Sequence, residues 1–270
     1  KSSADMQDIG NENREFWSEP CGINSMLSHG FDSNDEFDRW FFEFYPYLES
    51  YIPFEQLRGK KVFEVGLGMG SVGQRIAENG ADYYGLDIAE GPVALVNNRL
   101  HENRLDGRAT EGNILNCPHK DCTFDFAVAI GCLHHTGDLY QGIKELVRIV
   151  KPGGKGIFMV YNAFSYRQWI SAPLKTFRQL VADFGTATPR SAGKREREKY
   201  DSDTSGNVAP FTEFTGKKGV MRILDELPVE YKIDRQNIGN VFLFPVPRRI
   251  KLATCGPFMG LDLYVSFQKN

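Results

Sequence analysis

Residues 62–70 read Val-Phe-Glu-Val-Gly-Leu-Gly-Met-Gly, an apolar strand that runs straight into three glycines at alternate positions. Seventeen residues past the last of them, a second apolar run, Tyr83 to Leu86, ends on Asp87. A strand, a glycine turn and an acid at the tip of the next strand predict a pocket for a cofactor that carries a nucleoside. A nicotinamide dinucleotide fits poorly. Its fingerprint needs a third glycine at the sixth position, for close helix packing and a pyrophosphate at the helix N-terminus. Here the sixth position from Gly66 is Ser71, and Glu64 would set negative charge near the phosphates. A cofactor with a cationic, amino-acid-like end suits the turn better.

Strand and helix patterns alternate regularly around this turn. Strands are expected at 62–65, 82–87, 108–112, 124–130 and 156–161, and helices at 71–79, 91–103 and 139–150. The run 124–130 is apolar apart from Asp125, as a parallel strand covered on both faces should be. Lys151-Pro152-Gly153-Gly154 cannot continue the preceding helix. This repetition predicts an α/β fold with a doubly wound sheet. Upstream, the segment 35–48 places Phe37, Trp40, Phe41, Phe44 and Tyr45 at helical spacing. It predicts an amphipathic helix over one edge of the sheet, and one that, with Trp17-Cys21-Gly22, could close over the cofactor or substrate. Downstream, 164–184 reads as helix and 219–227 as a short helix. Strands are expected at 229–233 and 261–267. The polar stretch 186–209, with Arg190, Lys194, Arg195, Arg197 and Lys199, reads as a solvated loop or insertion, with a lid or an anionic-substrate contact as the alternative.

A chain of 270 residues accommodates one large α/β domain with a smaller attachment. The formal net charge of -3 gives no whole-chain attraction to phosphate backbones or anionic lipids. No apolar run reaches the roughly eighteen residues that span a bilayer. A cytoplasmic protein without membrane or nucleic-acid partners is expected. The five cysteines, Cys21, Cys117, Cys122, Cys132 and Cys255, are an odd set without a disulfide framework. Cys117 to Cys122, with His119, lacks both the short knuckle spacing and a second ligand pair, so no metal site is expected.

Ligands of open α/β sheets bind beyond the carboxyl ends of the strands. Those ends carry Glu64 to Gly70, Asp87, Asn113, Gly131 to His135, and Asn162. Glu64 could order the turn and hold an ammonium, directly or through water. Gly66, Gly68 and Gly70 permit close backbone approach. Asp87 offers two acceptor oxygens to two ribose hydroxyls, or else caps a helix. Asn113 could meet an adenine edge with Ile114 against the ring, or else is a turn residue. His134 and His135 are candidate bases, since imidazole titrates near neutrality, or else they orient loops or substrate.

The motif 64–70, acidic-x-Gly-x-Gly-x-Gly, resembles that of class I S-adenosylmethionine-dependent methyltransferases of the broad small-molecule type. Asp87, Gly112-Asn113 (where Gly-Asp is usual), the 121–125 run Asp-Cys-Thr-Phe-Asp, Leu133-His134-His135-Thr136 and the 151–154 run extend the resemblance over residues 58–162. Glu15 to Gly22 and the aromatic helix resemble more faintly the N-terminal cap of one bacterial branch. The resemblance implies a Rossmann-like, seven-stranded sheet with an antiparallel last strand. It also implies an N-terminal helical cap over residues 1–57 and a methyltransferase domain over 58–270, with a loop or lid insertion at 186–209. The implied cofactor is S-adenosyl-L-methionine, held by Trp17, Glu64, Gly66, Leu67, Gly68, Gly70, Asp87, Ile88, Asn113, Ile114, Gly131 and Cys132. The implied reaction is methyl transfer to a small-molecule acceptor, first of all an oxygen nucleophile. Under it, His134 or His135 is the base, Tyr161 and Tyr166 orient the substrate, and Glu213 is a lesser candidate on a segment, 211–214, that could fold back over the pocket. The alternatives are a methyltransferase acting on RNA or protein, a non-catalytic binding protein of the same fold, and a non-methylating enzyme with the same pocket.

Overall fold

The computed structural model describes residues 3–18, 30–185, 189–202 and 206–270. Its strands are β1 (Lys61–Val65), β2 (Asp82–Asp87), β3 (Arg108–Glu111), β4 (Phe124–Ile130), β5 (Val150–Tyr161), β6 (Arg190–Ser191), β7 (Glu213–Phe214), β8 (Val229–Gln236) and β9 (Asp262–Lys269). The helices before β3 are α1 (Ser3–Ser18), α2 (Asn34–Phe44), α3 (Leu48–Tyr51), α4 (Ser71–Glu78) and α5 (Glu90–Glu102). Those after β4 are α6 (Leu139–Ile149), α7 (Tyr166–Ser171), α8 (Pro173–Asp183), α9 (Lys194–Arg197), α10 (Lys217–Asp225), α11 (Arg248–Thr254) and α12 (Gly256–Met259).

Seven strands form one sheet in the order β3-β2-β1-β4-β5-β9-β8. β1 to β5 are parallel, and β9 inserts antiparallel between β5 and β8. Strand order reverses at β1, whose two neighbours are β2 and β4, so the crevice beyond its carboxyl end is where a ligand fits. Alternate side chains of each strand feed two cores. On one face Phe63, Ala127, Phe158 and Val265 meet Leu139, Ile143 and Leu146 of α6 and Val220 and Leu224 of α10. On the other Val62, Val128, Ile157 and Tyr264 meet Ile76 of α4, Val96 and Leu100 of α5, and Leu48 and Ile52.

Several elements differ from the sequence reading. β5 begins at Val150 rather than Gly156. Phe124 pairs with Val150 and Phe126 with Lys155, so residues 151–154 end the helix and bulge against β4 without leaving the sheet. The helix expected over 164–184 is two helices that part at Ala172, because the proline that follows it disfavours the α conformation there. The aromatic segment forms α2, which lies against helices, and leads into α3, which reaches the β8 edge of the sheet, where the Tyr51 hydroxyl donates to Asp234 and accepts from Gln236. Asp38 reaches Arg99 of α5 at 2.9 Å and Ser71 of α4 at 2.5 Å, while Tyr51 stacks on Tyr264 at 4.9 Å. The stretch 186–209 is more than a solvated loop. β6 pairs with β7, α9 follows, and Tyr200 packs on Tyr161 at 4.9 Å between ring centres. Cys21 and Gly22 lie outside the described residues.

Candidate active site

The strand-to-helix turn after β1 is built on three left-handed glycines, with φ of 76° at Gly66, 52° at Gly68 and 81° at Gly70. Gly66 has a further constraint. A Cβ there would stand 2.3 Å from the Cβ of Cys132, so the turn lies directly against the loop after β4. At Gly68 a Cβ would meet nothing within 4 Å, so the backbone borders open space. Asp87 ties this turn to β2. Its Oδ2 accepts from the Leu67 amide at 2.8 Å and its Oδ1 from the Ala89 amide at 3.0 Å. Burial pushes its carboxyl up to about 6, against the pull of these backbone donors.

One cavity collects these groups. Its lining includes Gly66, Gly68, Asp87, Ile88, Asn113, Ile114, Gly131, Cys132 and His135, joined by Gly10, Asn13 and Trp17 of α1. Asn113 is a turn residue that also lines the cavity. Its Oδ1 accepts from the Leu115 amide at 2.9 Å, and its side chain still borders the cavity. Leu67 contributes the amide that Asp87 holds, and Gly70 backs onto Val96 and Arg99.

Glu64 is placed differently. Its Oε2 accepts from the Tyr83 hydroxyl at 2.5 Å beneath the turn, 3% exposed, and its carboxyl is not part of the cavity lining. Burial pushes that carboxyl up to about 8, with the neighbouring Asp87 adding to the rise. Cys132 donates its thiol to the Val65 carbonyl at 3.1 Å and is kept protonated by burial.

The adjacent histidines separate clearly. His134 is fully buried, with its ring 4.0 Å from Tyr161 and 4.2 Å from His135, and neither of its nitrogens has a hydrogen-bond partner among the described residues. Burial holds it neutral, followed by the effect of His135. His135 borders the cavity, with Trp17 packed 5.0 Å away. Its Nδ1 lies 2.7 Å from the Phe211 carbonyl, which can only accept, so Nδ1 carries a proton. Nε2 faces Oδ2 of Asp201 at 3.8 Å, and neither atom has another partner. Asp201 in turn accepts from the Tyr161 hydroxyl at 2.7 Å. Burial raises the Asp201 carboxyl, and His135 opposes the rise.

Tyr161 therefore supports Asp201 from outside the cavity lining. Tyr166 lies elsewhere: its hydroxyl accepts from the Gly239 amide and its ring packs on Phe242 at 4.0 Å. The segment 211–214 returns to the site through the Phe211 carbonyl and Thr212, while Glu213 pairs in the β6–β7 ladder. Sequence reasoning missed Asn13, whose Nδ2 donates to the His135 carbonyl at 2.8 Å, together with Gly10 and Asp201. His119 packs edge-on against Phe124 at 5.0 Å in the core, and no cluster of metal-ligating groups occurs among the described residues.

Comparison with known proteins agrees with this arrangement. Residues 63–158 match the family model described as a methyltransferase domain. Phosphoethanolamine N-methyltransferase 2 of Caenorhabditis elegans is 25% identical over 52% of this chain and 30% of its own length. A ubiquinone biosynthesis O-methyltransferase of Stutzerimonas stutzeri is 32% identical over 39% of this chain and 46% of its own. The chain thus spans less than half the length of these curated relatives. Among solved structures, an S-adenosylmethionine-dependent methyltransferase of Mesorhizobium loti superposes with a TM-score of 0.56 at 16% identity, over 83% of this chain and 96% of that one. A Pyrococcus horikoshii protein does so at 0.55 and 17% identity, over 88% and 93%. The cofactor of this fold is S-adenosyl-L-methionine, and the cavity suits it. The open space at Gly68 leaves room for a methionine tail, Asp87 keeps further lone pairs for ribose, and the buried Asn13 Oδ1 is an acceptor with no partner among the described residues. The sheet order and glycine turn are those of the class I S-adenosylmethionine-dependent methyltransferase fold, and within it residues 63–158 match the methyltransferase-domain family model.

Proposed function

We propose that this protein transfers a methyl group from S-adenosylmethionine to a small-molecule acceptor, with a hydroxyl oxygen as the nucleophile. The observation that carries the reading is the single cavity shared by the glycine turn, Asp87 and His135. When bound, the cofactor supplies an electrophilic methyl on a sulfonium, so the protein's tasks are orientation, exclusion of water and removal of a proton. Asp87 would take the ribose hydroxyls, Asn113 and Ile114 the adenine side, and the backbone from Gly66 to Gly68 and at Gly131 the methionine portion. Trp17 and Asn13 of α1 would cover the cavity and exclude water.

His135 is the base in this proposal, and His134 is excluded because it is fully buried and burial opposes its taking up a proton. With Nδ1–H committed to Phe211, the lone pair is at Nε2. A proton taken up there would face the Asp201 carboxylate, and the Tyr161 hydroxyl steadies that carboxylate in place. A hydroxyl nucleophile needs such a base more than an amine or thiol does. The relatives' names include both O- and N-methyltransferases, so the acceptor atom rests on this dyad rather than on likeness. The test is methyl transfer from labelled cofactor to a panel of hydroxyl, amine and thiol acceptors. His135→Gln should lower turnover on a hydroxyl acceptor by roughly 100-fold or more and leave cofactor affinity nearly unchanged. Full turnover in that variant, or transfer to amines alone, would reject the oxygen assignment.

A further inference from the structure

Helices α7 and α8 turn their apolar side chains outward. Ile170, Leu174, Phe177, Val181 and Phe184 follow one another at helical spacing and are 70, 76, 56, 56 and 73% exposed. Apart from Tyr166, the inward positions are polar. Thr176, 2% exposed, donates to the carbonyls of Gln168 and Ala172, and Asp183 is 3% exposed. A helix packed on a core and facing water has the opposite arrangement. The loop beside α7 repeats the pattern. Phe242 packs on Tyr166 at 4.0 Å, and its neighbours Val241 and Phe244 are 86 and 84% exposed. This exceeds the scattered apolar exposure of an ordinary surface.

The rim of this face is cationic. Arg178 is exposed on α8, Lys218 of α10 stands 4.0 Å over the Phe184 ring, and Arg222 donates to the Gly185 carbonyl at 2.7 Å. The acids nearby are turned away: Asp183 is buried, and Glu196 is held by Arg190 and Lys175. We propose that α7 and α8 form a peripheral docking surface for an anionic phospholipid bilayer. Leu174, Phe177 and Val181 would enter the acyl boundary while Arg178, Lys218 and Arg222 meet the headgroups, with the helix lying in the interface plane. A second copy of the chain is the poorer occupant, because a two-fold contact through this face would set its cationic rim against itself. The whole-chain charge of -3 averages over this local patch and conceals it. No helix among the described residues is long and apolar enough to cross a membrane, so the contact is one of surface only. Helix α7 begins five residues past the carboxyl end of β5, and His135 follows the carboxyl end of the neighbouring β4.

The test is flotation of the full chain with vesicles of phosphatidylcholine alone or mixed with phosphatidylglycerol, at low and high salt. Recruitment to the anionic vesicles at low salt, reduced by high salt, is expected. Phe177→Asp with Val181→Asp should abolish it with the melting temperature retained, and Arg178→Glu should weaken it by about fivefold or more. Both substitutions fall on exposed positions, so loss of folding is not the expected cause. No recruitment by anionic vesicles would overturn the proposal. So would recruitment that survives the double substitution, or a vesicle-free dimer that the double substitution dissolves.

Discussion

At the scale of the residue, the site depends on how closely two loops approach. Gly66 illustrates this, because it combines a φ of 76° with a Cys132 Cβ that already occupies the place of any side chain. Gly66→Ala is therefore expected to lose at least about 1–2 kcal/mol from the left-handed backbone alone, before the displacement of Cys132 is counted. Chemical denaturation of the two proteins checks this, and unchanged stability would mean that the turn relaxes freely. Asp87 was legible in the sequence because its role is local: a strand tip beside a glycine turn, within hydrogen-bond reach of Leu67 and Ala89. The two histidines could not be told apart in the sequence, since adjacent residues on a short turn diverge and only packing decides which one is buried. Asp201 left no signal at all. It sits in a polar, basic stretch whose composition reads as loop, and its value comes from the Tyr161 hydroxyl some forty residues earlier in the chain.

At the scale of the element, the central strands and their helices were legible because apolar runs and glycine or proline breaks are short-range signals. The N-terminal helix α1 was not. Its stretch is polar and charged, and it holds its place by a few specific contacts: Asn13 to His135, Arg14 to the Ile88 carbonyl, and Ser18 against α5. The last is close enough that a Cβ at Gly91 would meet the Ser18 carbonyl oxygen at 2.2 Å. Gly91→Val should push α1 off the cavity and withdraw Trp17 and Asn13 from it. Cofactor affinity is expected to fall by about tenfold, the size of one buried hydrogen-bonded contact, with little change in melting temperature. Isothermal titration with S-adenosylhomocysteine reads this out, and equal affinity would show that α1 is not part of the cofactor site. The aromatic helix α2 taught the reverse lesson. Its pattern promised a cover for the ligand, but Asp38 ties it to Ser71 of α4 and Arg99 of α5.

At the scale of the whole molecule, three buried carboxyls set a pH dependence of stability. Burial pushes Asp87 up to about 6, Asp262 to about 7 and Glu64 to about 8. In each the folded state holds its proton to higher pH than the unfolded chain, so the folded state binds more protons between about pH 4 and those values. Their stabilising contribution is complete below the unfolded carboxyl range and is lost as pH rises through about 6, 7 and 8 in turn. These groups should therefore lower the melting temperature of the ligand-free protein progressively from about pH 4 to about pH 8, with no further loss from them above that. Glu64→Gln cannot ionise, and should flatten the upper part of that decline. Parallel slopes for the two proteins would mean that Glu64 does not keep its proton.

The central claim is that the turn after β1 holds the methionine portion, and Asp87 the ribose, of one cofactor molecule. Calorimetric titration of the full chain with S-adenosylmethionine, for the native sequence, Asp87→Asn and Asp87→Ala, tests it most directly. One molecule should bind per chain. Asp87→Ala should weaken binding by roughly 10- to 100-fold, as expected when charged acceptors of two hydroxyls are lost, with Asp87→Asn in between. Absence of binding by the native protein, or affinity unmoved by Asp87→Ala, would contradict the account.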